Sequence, residues 1–258
     1  MAKLDWGNPK DRLYEYGVDR GVFAINNGAQ VYPWSGLTAV NSTTEIKEPT
    51  PTYLDGVKII NNMRGSDYEG SIEAFYSPPE FDMCDGTYEE FDGIFSSGNP
   101  PKKFDFSYRS LVGSDDYKIH LIYNCLASPS DRNTSTVTDQ FEPEPLSWAV
   151  TTNPSIRSGG KRTHFSVDTT KTSIVIVRAI ESLLYGSEAN DPIFPTYNDL
   201  VAAWQQLKDV RVEEHSDGTW TIEGPDDIVK AADPQWGIFE INWVGVEHVT
   251  KSIFSVRD

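Results

Sequence analysis

Residues 118–125 read Lys-Ile-His-Leu-Ile-Tyr-Asn-Cys. Ile119, Leu121, Tyr123 and Cys125 share one face of an alternating chain. Lys118, His120 and Asn124 share the other, with Ile122 the exception. A period of two is the mark of a strand with one face on a core. The same alternation recurs outward from this stretch. Leu146, Trp148 and Val150 alternate with Ser147, Ala149 and Thr151, and His164, Ser166 and Asp168 with Phe165 and Val167. Upstream, Ile72, Ala74 and Tyr76 alternate with Ser71, Glu73 and Phe75, and residues 57–60 read as another strand. Gly21–Ile25 is β-rich, and Asn26-Asn27-Gly28 before Gln30-Val31-Tyr32 is a type I′ hairpin signal. Towards the C-terminus, Arg211–Glu213 and Thr219–Glu223 flank a Ser-Asp-Gly turn. Phe239, Ile241 and Trp243 alternate, and Ser252–Val256 reads as a terminal strand.

Helical signals are sparse. Tyr197–Leu207 carries Leu200, Val201, Trp204 and Leu207 at three- and four-residue spacing. Thr196 is placed to cap it, and Asp199 puts a negative charge in the first turn. Glu181–Tyr185 reads as a short helical turn, and the β-branched run Ser173–Val177 as a partly buried strand. Asn41–Thr52 and Leu126–Pro145 read as long polar loops. The tally is roughly ten short strands and one or two helices. The expected class is mainly β: a sandwich or barrel with one flanking α-helix at residues 197–207.

The 258 residues suffice for one large domain, and 38% hydrophobic content excludes a disordered chain. No apolar run approaches the ~18 residues of a membrane span, and the first residues lack the apolar centre of a secretion signal. Cys84 and Cys125 match no zinc spacing and read as two reduced thiols. The sequons at Asn41 and Asn133 read as chance matches without a secretion signal. Asp and Glu number 39 against 22 Lys and Arg, a formal net charge of -17 spread along the chain. Such a surface does not bind nucleic acid by neutralising phosphates. It serves solubility, or meets DNA without holding it.

Catalytic patterns do not accumulate. His120, His164, His215 and His248 form no metal-binding pair, and no Gly-x-Ser-x-Gly elbow occurs. Ser158–Thr163 looks like the end of a phosphate loop. However, Arg162 stands where Ser or Thr must hold magnesium, and Ser155 where the first Gly belongs. Asp82–Gly86 is a fragment of a calcium loop, and Asp115-Asp116 and Asp226-Asp227 read as solvated loop acids. The tryptophans Trp6, Trp34, Trp148, Trp204, Trp220, Trp236 and Trp243 are dispersed and read as core and interface packing. No cofactor or metal is expected.

Several blocks, in order, resemble the major tail proteins of long-tailed phages that infect actinobacteria. They are Arg12–Val22, Trp34–Val40, Tyr53–Lys58, Tyr68–Phe75, Cys84–Gly86, Phe106–Arg109, Tyr117–Asn124, Ala127–Ser130 and Asp217–Thr221. The resemblance implies a tail tube protein, a structural virion component and not an enzyme. Its fold would be a single tube domain over residues 1–258. Residues 1–190 would form the β-sandwich core, and 191–258 would add the helix and C-terminal strands that complete or flank it. Subunits would close into hexameric rings whose sheets join into an inner barrel, and rings would stack into a tube. The implied partners are other copies of the chain, tail-tip and tail-terminator proteins, a tape measure protein in the lumen, and double-stranded DNA in non-specific passage. The chain itself would not insert into a membrane; it would be assembled in the host cytoplasm and reside in the virion. The projecting loops would place Glu45, Lys47, Glu48, Asp131, Arg132, Asp139 and Glu142 at contacts between subunits or rings.

Two other classes stay open on the residues alone. One is a carbohydrate- or receptor-binding β-sandwich of a phage tail. The other is a hydrolase using two of the many carboxylates. Leu54, Val57, Ile59, Ile72 and Ala74 are expected to anchor strands of the sandwich, with Asp55-Gly56 as a turn and 61–68 as a connection.

Overall fold

A computed structural model describes residues 13–43, 50–54, 57–62, 67–128, 145–160, 162–187, 190–217, 219–226, 228–233, 237–245 and 249–255. Among these the chain is mainly β. The strands are β1 (Glu15–Ile25), β2 (Gln30–Trp34), β3 (Leu37–Thr43), β4 (Thr50–Leu54), β5 (Val57–Asn62), β6 (Glu69–Ala74), β7 (Tyr88–Phe91), β8 (Ile94–Ser96), β9 (Phe104–Val112), β10 (Asp116–Ala127), β11 (Leu146–Thr152), β12 (His164–Asp168), β13 (Arg211–Glu214), β14 (Trp220–Glu223), β15 (Val229–Asp233), β16 (Ile238–Val244) and β17 (Val249–Ser255). The helices are α1 (Asp82–Asp85), α2 (Ile174–Tyr185) and α3 (Tyr197–Leu207). No helix among the described residues is long and apolar enough to cross a membrane.

The chain divides into two compact units. One holds residues 22–106 and 122–165; the other holds 1–21, 107–121 and 166–258. Residues 166–190, read from sequence with the sandwich core, therefore cluster with the C-terminal segment. Strands β1, β9 and β10 contribute residues to both units.

The main sheet follows the order β2-β1-β9-β10-β11-β6-β3, with β12 paired to β10, and both of its end strands belong to the first unit. The two end strands, β2 and β3, are joined by Ser35 and Gly36 alone. A flat sheet of seven strands would hold its ends about 29 Å apart, at ~4.8 Å per neighbour. Three Cα steps from Trp34 to Leu37 reach at most about 11 Å. The sheet must curl until its ends meet, and the bonds at the seam agree. The Trp34 indole N–H donates to the Tyr76 carbonyl (2.8 Å), and the Phe75 N–H donates to the Gly36 carbonyl (3.0 Å). The interior is aromatic. Phe81 is fully buried, with ring centres of Trp34, Phe104, Phe23 and Trp148 at 4.4, 5.0, 5.4 and 5.6 Å. Ile72 and Ala74 of β6 and Trp148 and Val150 of β11 are buried here, as the alternation demands. The β10 stretch is buried on both faces, since His120 and Ile122 join Ile119, Leu121, Tyr123 and Cys125.

In the second unit α2 and α3 pack on the antiparallel sheet β15-β16-β17. Val175, Ile176, Ala179, Ile180 and Leu183 of α2, with Ala203 and Leu207 of α3, meet Phe239, Ile241 and Trp243 of β16. The Thr196 cap forms as the sequence indicates: Thr196 Oγ1 accepts from the Asp199 N–H (3.2 Å), and the Asp199 carboxylate accepts from the Thr196 N–H (2.8 Å).

Five expectations change. There are two long helices, not one. Residues 174–177 open α2 instead of forming a strand. Their β-branched side chains are accommodated because Val175, Ile176 and Val177 are all buried, so packing overrides local preference. The loop read at 41–52 is shorter, because β3 runs to Thr43 and β4 starts at Thr50. Strands β4 and β5 pair only with each other, Leu54 opposite Val57, and are not in the main sheet. The hairpin after β1 turns on Asn26 and Asn27, both at positive φ (52° and 58°), with the Gly28 N–H donating to the Ile25 carbonyl. The left-handed pair is thus one residue earlier than Asn27-Gly28. The Asp55-Gly56 turn lies outside the described residues.

Candidate assembly surface

The segment Phe91-Asp92-Gly93-Ile94-Phe95 forms the tip of the β7–β8 hairpin. Phe91 pairs with Ile94 across the two-residue turn, and Gly93 takes φ +75°, a conformation that suits glycine. Two of its three acids are tied inside the hairpin. Glu89 accepts from the Gly93 N–H (2.8 Å), and Glu90 accepts from the Ser96 hydroxyl (2.7 Å). The base is anchored. The Tyr88 hydroxyl donates to the Pro100 carbonyl (3.0 Å), Asn99 Nδ2 donates to Ser96 Oγ (2.9 Å), and the Asn99 and Lys102 N–H groups donate to Gly86 and Met83 carbonyls. On this fixed base the tip is bare: Phe91 is 72% exposed, Ile94 60% and Phe95 55%. Three large apolar side chains are thus exposed within five residues of this turn.

The seam of the curled sheet is the second bare region. Phe75 and Tyr76, just beyond β6, are 55% and 51% exposed. They lie next to the link between β2 and β3, through the bonds to Gly36 and Trp34 given above. The two end strands differ. β2 contains Pro33, which lacks a donor and weakens an edge for further pairing. β3 (Leu-Thr-Ala-Val-Asn-Ser-Thr) has neither proline nor charge, and its one guard against strand addition is the register shift between Leu37 and Ala39.

In the second unit Glu15, Ser110 and His120 approach one another, but not as a catalytic triad. Ser110 Oγ and Glu15 Oε1 both face the same ring nitrogen, His120 Nε2, at 2.9 and 3.2 Å. A triad needs the acid and the hydroxyl on opposite nitrogens. Ser110 instead donates to Glu15 (2.7 Å), and the imidazole stacks on Tyr108 with centres 4.5 Å apart. Burial holds His120 below its usual pKa, against the pull of Glu15. Burial would raise Glu15, but bonds from Lys118 (2.7 Å) and Ser110 outweigh it and hold the carboxyl low. Nearby, Arg109 forms a two-pronged pair with Asp19 (2.8 and 2.6 Å) and lies over the Tyr117 ring. Burial, followed by the neighbouring Glu181, pushes Tyr117 up to about 12.

In the first unit Asp105 is buried. It accepts from Arg157 Nε (3.1 Å) and from the N–H of Asn124 (2.8 Å), which sits in the left-handed region at φ 54°. Burial raises the Asp105 pKa further than these partners lower it. A cavity of about 60 Å³ beside it, lined in part by Lys103, Asn27 and Ser155, holds no more than a small group. No cluster of three or more metal-ligating side chains occurs among the described residues.

Glu45, Lys47, Glu48, Asp131, Arg132, Asp139 and Glu142, the expected contact residues, lie outside the described residues. The hairpin tip takes their place as the described surface best suited to contact. Its signal was present in the sequence: Asp-Gly between apolar residues is a hairpin mark. Comparison with protein-family models, with curated proteins and with solved structures found no match to the chain.

Proposed function

We propose that this chain is a structural subunit of a phage tail tube. It would polymerise into stacked, hexameric rings whose lumen conducts DNA into the host. The observation that carries the reading is the ordered series of sequence blocks from Arg12 to Thr221. The fold gives it physical support. End strands that each pair with one neighbour along the sheet, β2 with β1 and β3 with β6, offer backbone donors and acceptors that a neighbouring copy can satisfy, and contact between two different patches on identical subunits makes a ring when the rotation closes. The formal net charge of -17 suits a wall that lets a polyanion pass without binding it. Its partners would be further copies of itself, tail-tip and tail-terminator proteins, and a tape measure protein that vacates the lumen before DNA passes.

Negative-stain electron microscopy of the purified protein at rising concentration tests this. Rings or hollow tubes with a bore that admits a duplex are expected. A particle that stays monomeric at high concentration, and also when tail-tip components are added, overturns the proposal.

A carbohydrate- or receptor-binding reading draws on one feature. Tyr197 and Trp204 are both exposed and lie seven residues apart on α3, hence on the same side of the helix. Saturable quenching of Trp204 fluorescence by host-wall glycans, with no polymer formed, would favour it.

A further inference from the structure

We infer that the β7–β8 hairpin of one copy docks on the sheet seam of a second copy, with Phe91, Ile94 and Phe95 covering Phe75 and Tyr76. The inference rests on the proposed assembly and names its contact. Both surfaces belong to the same compact unit, and each leaves its large side chains more than half exposed.

Charge selects the occupant. Identical copies of so acidic a chain repel one another, so self-contact must fall where charge is sparse. Residues 21–43, which include the last five residues of β1, all of β2, the link and all of β3, contain no Asp, Glu, Lys or Arg, although charged residues make up 24% of the chain. Residues 74–79, which carry Phe75 and Tyr76, contain none either. The incoming hairpin brings three acids, Glu89, Glu90 and Asp92. Neither stretch contributes a carboxylate of its own; the acid at the seam is Glu73, which already accepts from Asn41 Nδ2 of β3 (3.1 Å), and Glu89 and Glu90 are already bonded within the hairpin. The strands also fit. Beyond its irregularity at Leu37–Ala39, β3 is an end strand without proline or charge, and the two-stranded hairpin has edges of its own, so backbone pairing can accompany the apolar contact. Hairpin and seam are different patches. Each copy therefore gives one hairpin and receives one, and the contact propagates instead of stopping at a dimer.

Cysteine cross-linking tests this on the full chain. The native thiols give little background, since Cys84 and Cys125 are both buried. Two single variants, Phe95→Cys and Tyr76→Cys, are mixed in equal amounts and treated with a mild oxidant. A disulfide-linked heterodimer is expected from the mixture, with far less product from either variant alone. A mixture of Phe95→Cys with Val244→Cys, exposed on the other unit, should remain unlinked. In parallel, Phe91→Ser/Ile94→Ser/Phe95→Ser should keep the wild-type melting temperature while the concentration needed for assembly rises on the order of tenfold or more.

Tubes that form with no cross-link overturn the docking and leave the tube reading intact. Chains of linked copies that never build tubes support the docking and count against the tube. Absence of both removes both. A Phe95→Cys sample that links to itself as well as the mixture does overturns the inference in favour of hairpin meeting hairpin.

Discussion

Phe81→Ala should be the most damaging single change in the aromatic unit. Phe81 is fully buried and lies within 4.4–5.6 Å of the ring centres of Trp34, Phe104, Phe23 and Trp148. Three of these four contacts are close to edge-on, at 80–86° between planes. Truncation removes the transfer energy of the ring and leaves a void that four rigid neighbours cannot close, which costs about 3–5 kcal/mol. Phe81→Leu keeps most of the volume and loses only the ring-to-ring component, about 1–2 kcal/mol. For a chain of this size 1 kcal/mol moves the melting temperature by about 2–4 °C. Alanine should therefore lower it by roughly 6–20 °C, and leucine by much less. Ile156→Ala is the control. Ile156 is 94% exposed, and its loss should stay within about 0.5 kcal/mol. Near-UV circular dichroism follows the transition directly, because Trp34 and Trp148 belong to this core. The measurement belongs at low concentration, where association does not add to stability. A loss below about 1 kcal/mol for Phe81→Ala, or equal losses for Ala and Leu, would refute the packing described for this residue.

Three further predictions follow from charge and burial. Glu15 is held below its ordinary pKa, so its contribution is present above the unfolded value of about 4.3 and lost as pH falls through the lower folded value. Lys118→Met removes its main partner, and the acid-unfolding midpoint read by circular dichroism should move to higher pH; an unmoved midpoint counts against the contact. Burial pushes the Cys84 thiol up to about 12 and raises Cys125 well above its usual value. Iodoacetamide at pH 8 should leave both unlabelled in the native protein and label both in urea, by mass spectrometry; rapid native labelling would contradict their burial. Finally, self-association of so acidic a chain should strengthen with salt, as the screening length drops from about 10 Å at 0.1 M to about 3 Å at 1 M. Sedimentation should show assembly at lower protein concentration in higher NaCl, and dissociation by salt would point instead to contacts made by ion pairs.

The strands were readable where one face alone is buried. β11 and β16 alternate cleanly because their outer faces meet solvent or half-buried surroundings. The helix α3 was readable for the same reason, with a polar side and a cap that the sequence displays. α2 was not, because it is buried on several faces, so Ile-Val-Ile-Val shows no helical stripe and its β-branched content imitates a strand. The curl of the main sheet was also hidden. It depends on which distant strands pair, such as β11 with β6, and not on any local pattern. The apolar hairpin tip carried a plain signal in Asp92-Gly93, but exposure, which makes it a contact surface, is decided by the rest of the fold.

The interleaving of the two units sets a clock on synthesis. Asp19 finds Arg109 only after 90 more residues have been made, and the unit that contains both also requires residues 166–258. The first strand therefore leaves the ribosome with β2 close behind it but long before β9, its other neighbour in the sheet, exists, and long-range pairing of this kind is slow even in the finished chain. During that interval Val22, Phe23, Ala24 and Ile25, which end up buried, have β2 and Phe81 beside them but not yet the later strands of the sheet. A nascent chain in this state is the form most exposed to aggregation and most in need of a holding chaperone. No single cut in the sequence would release either unit whole.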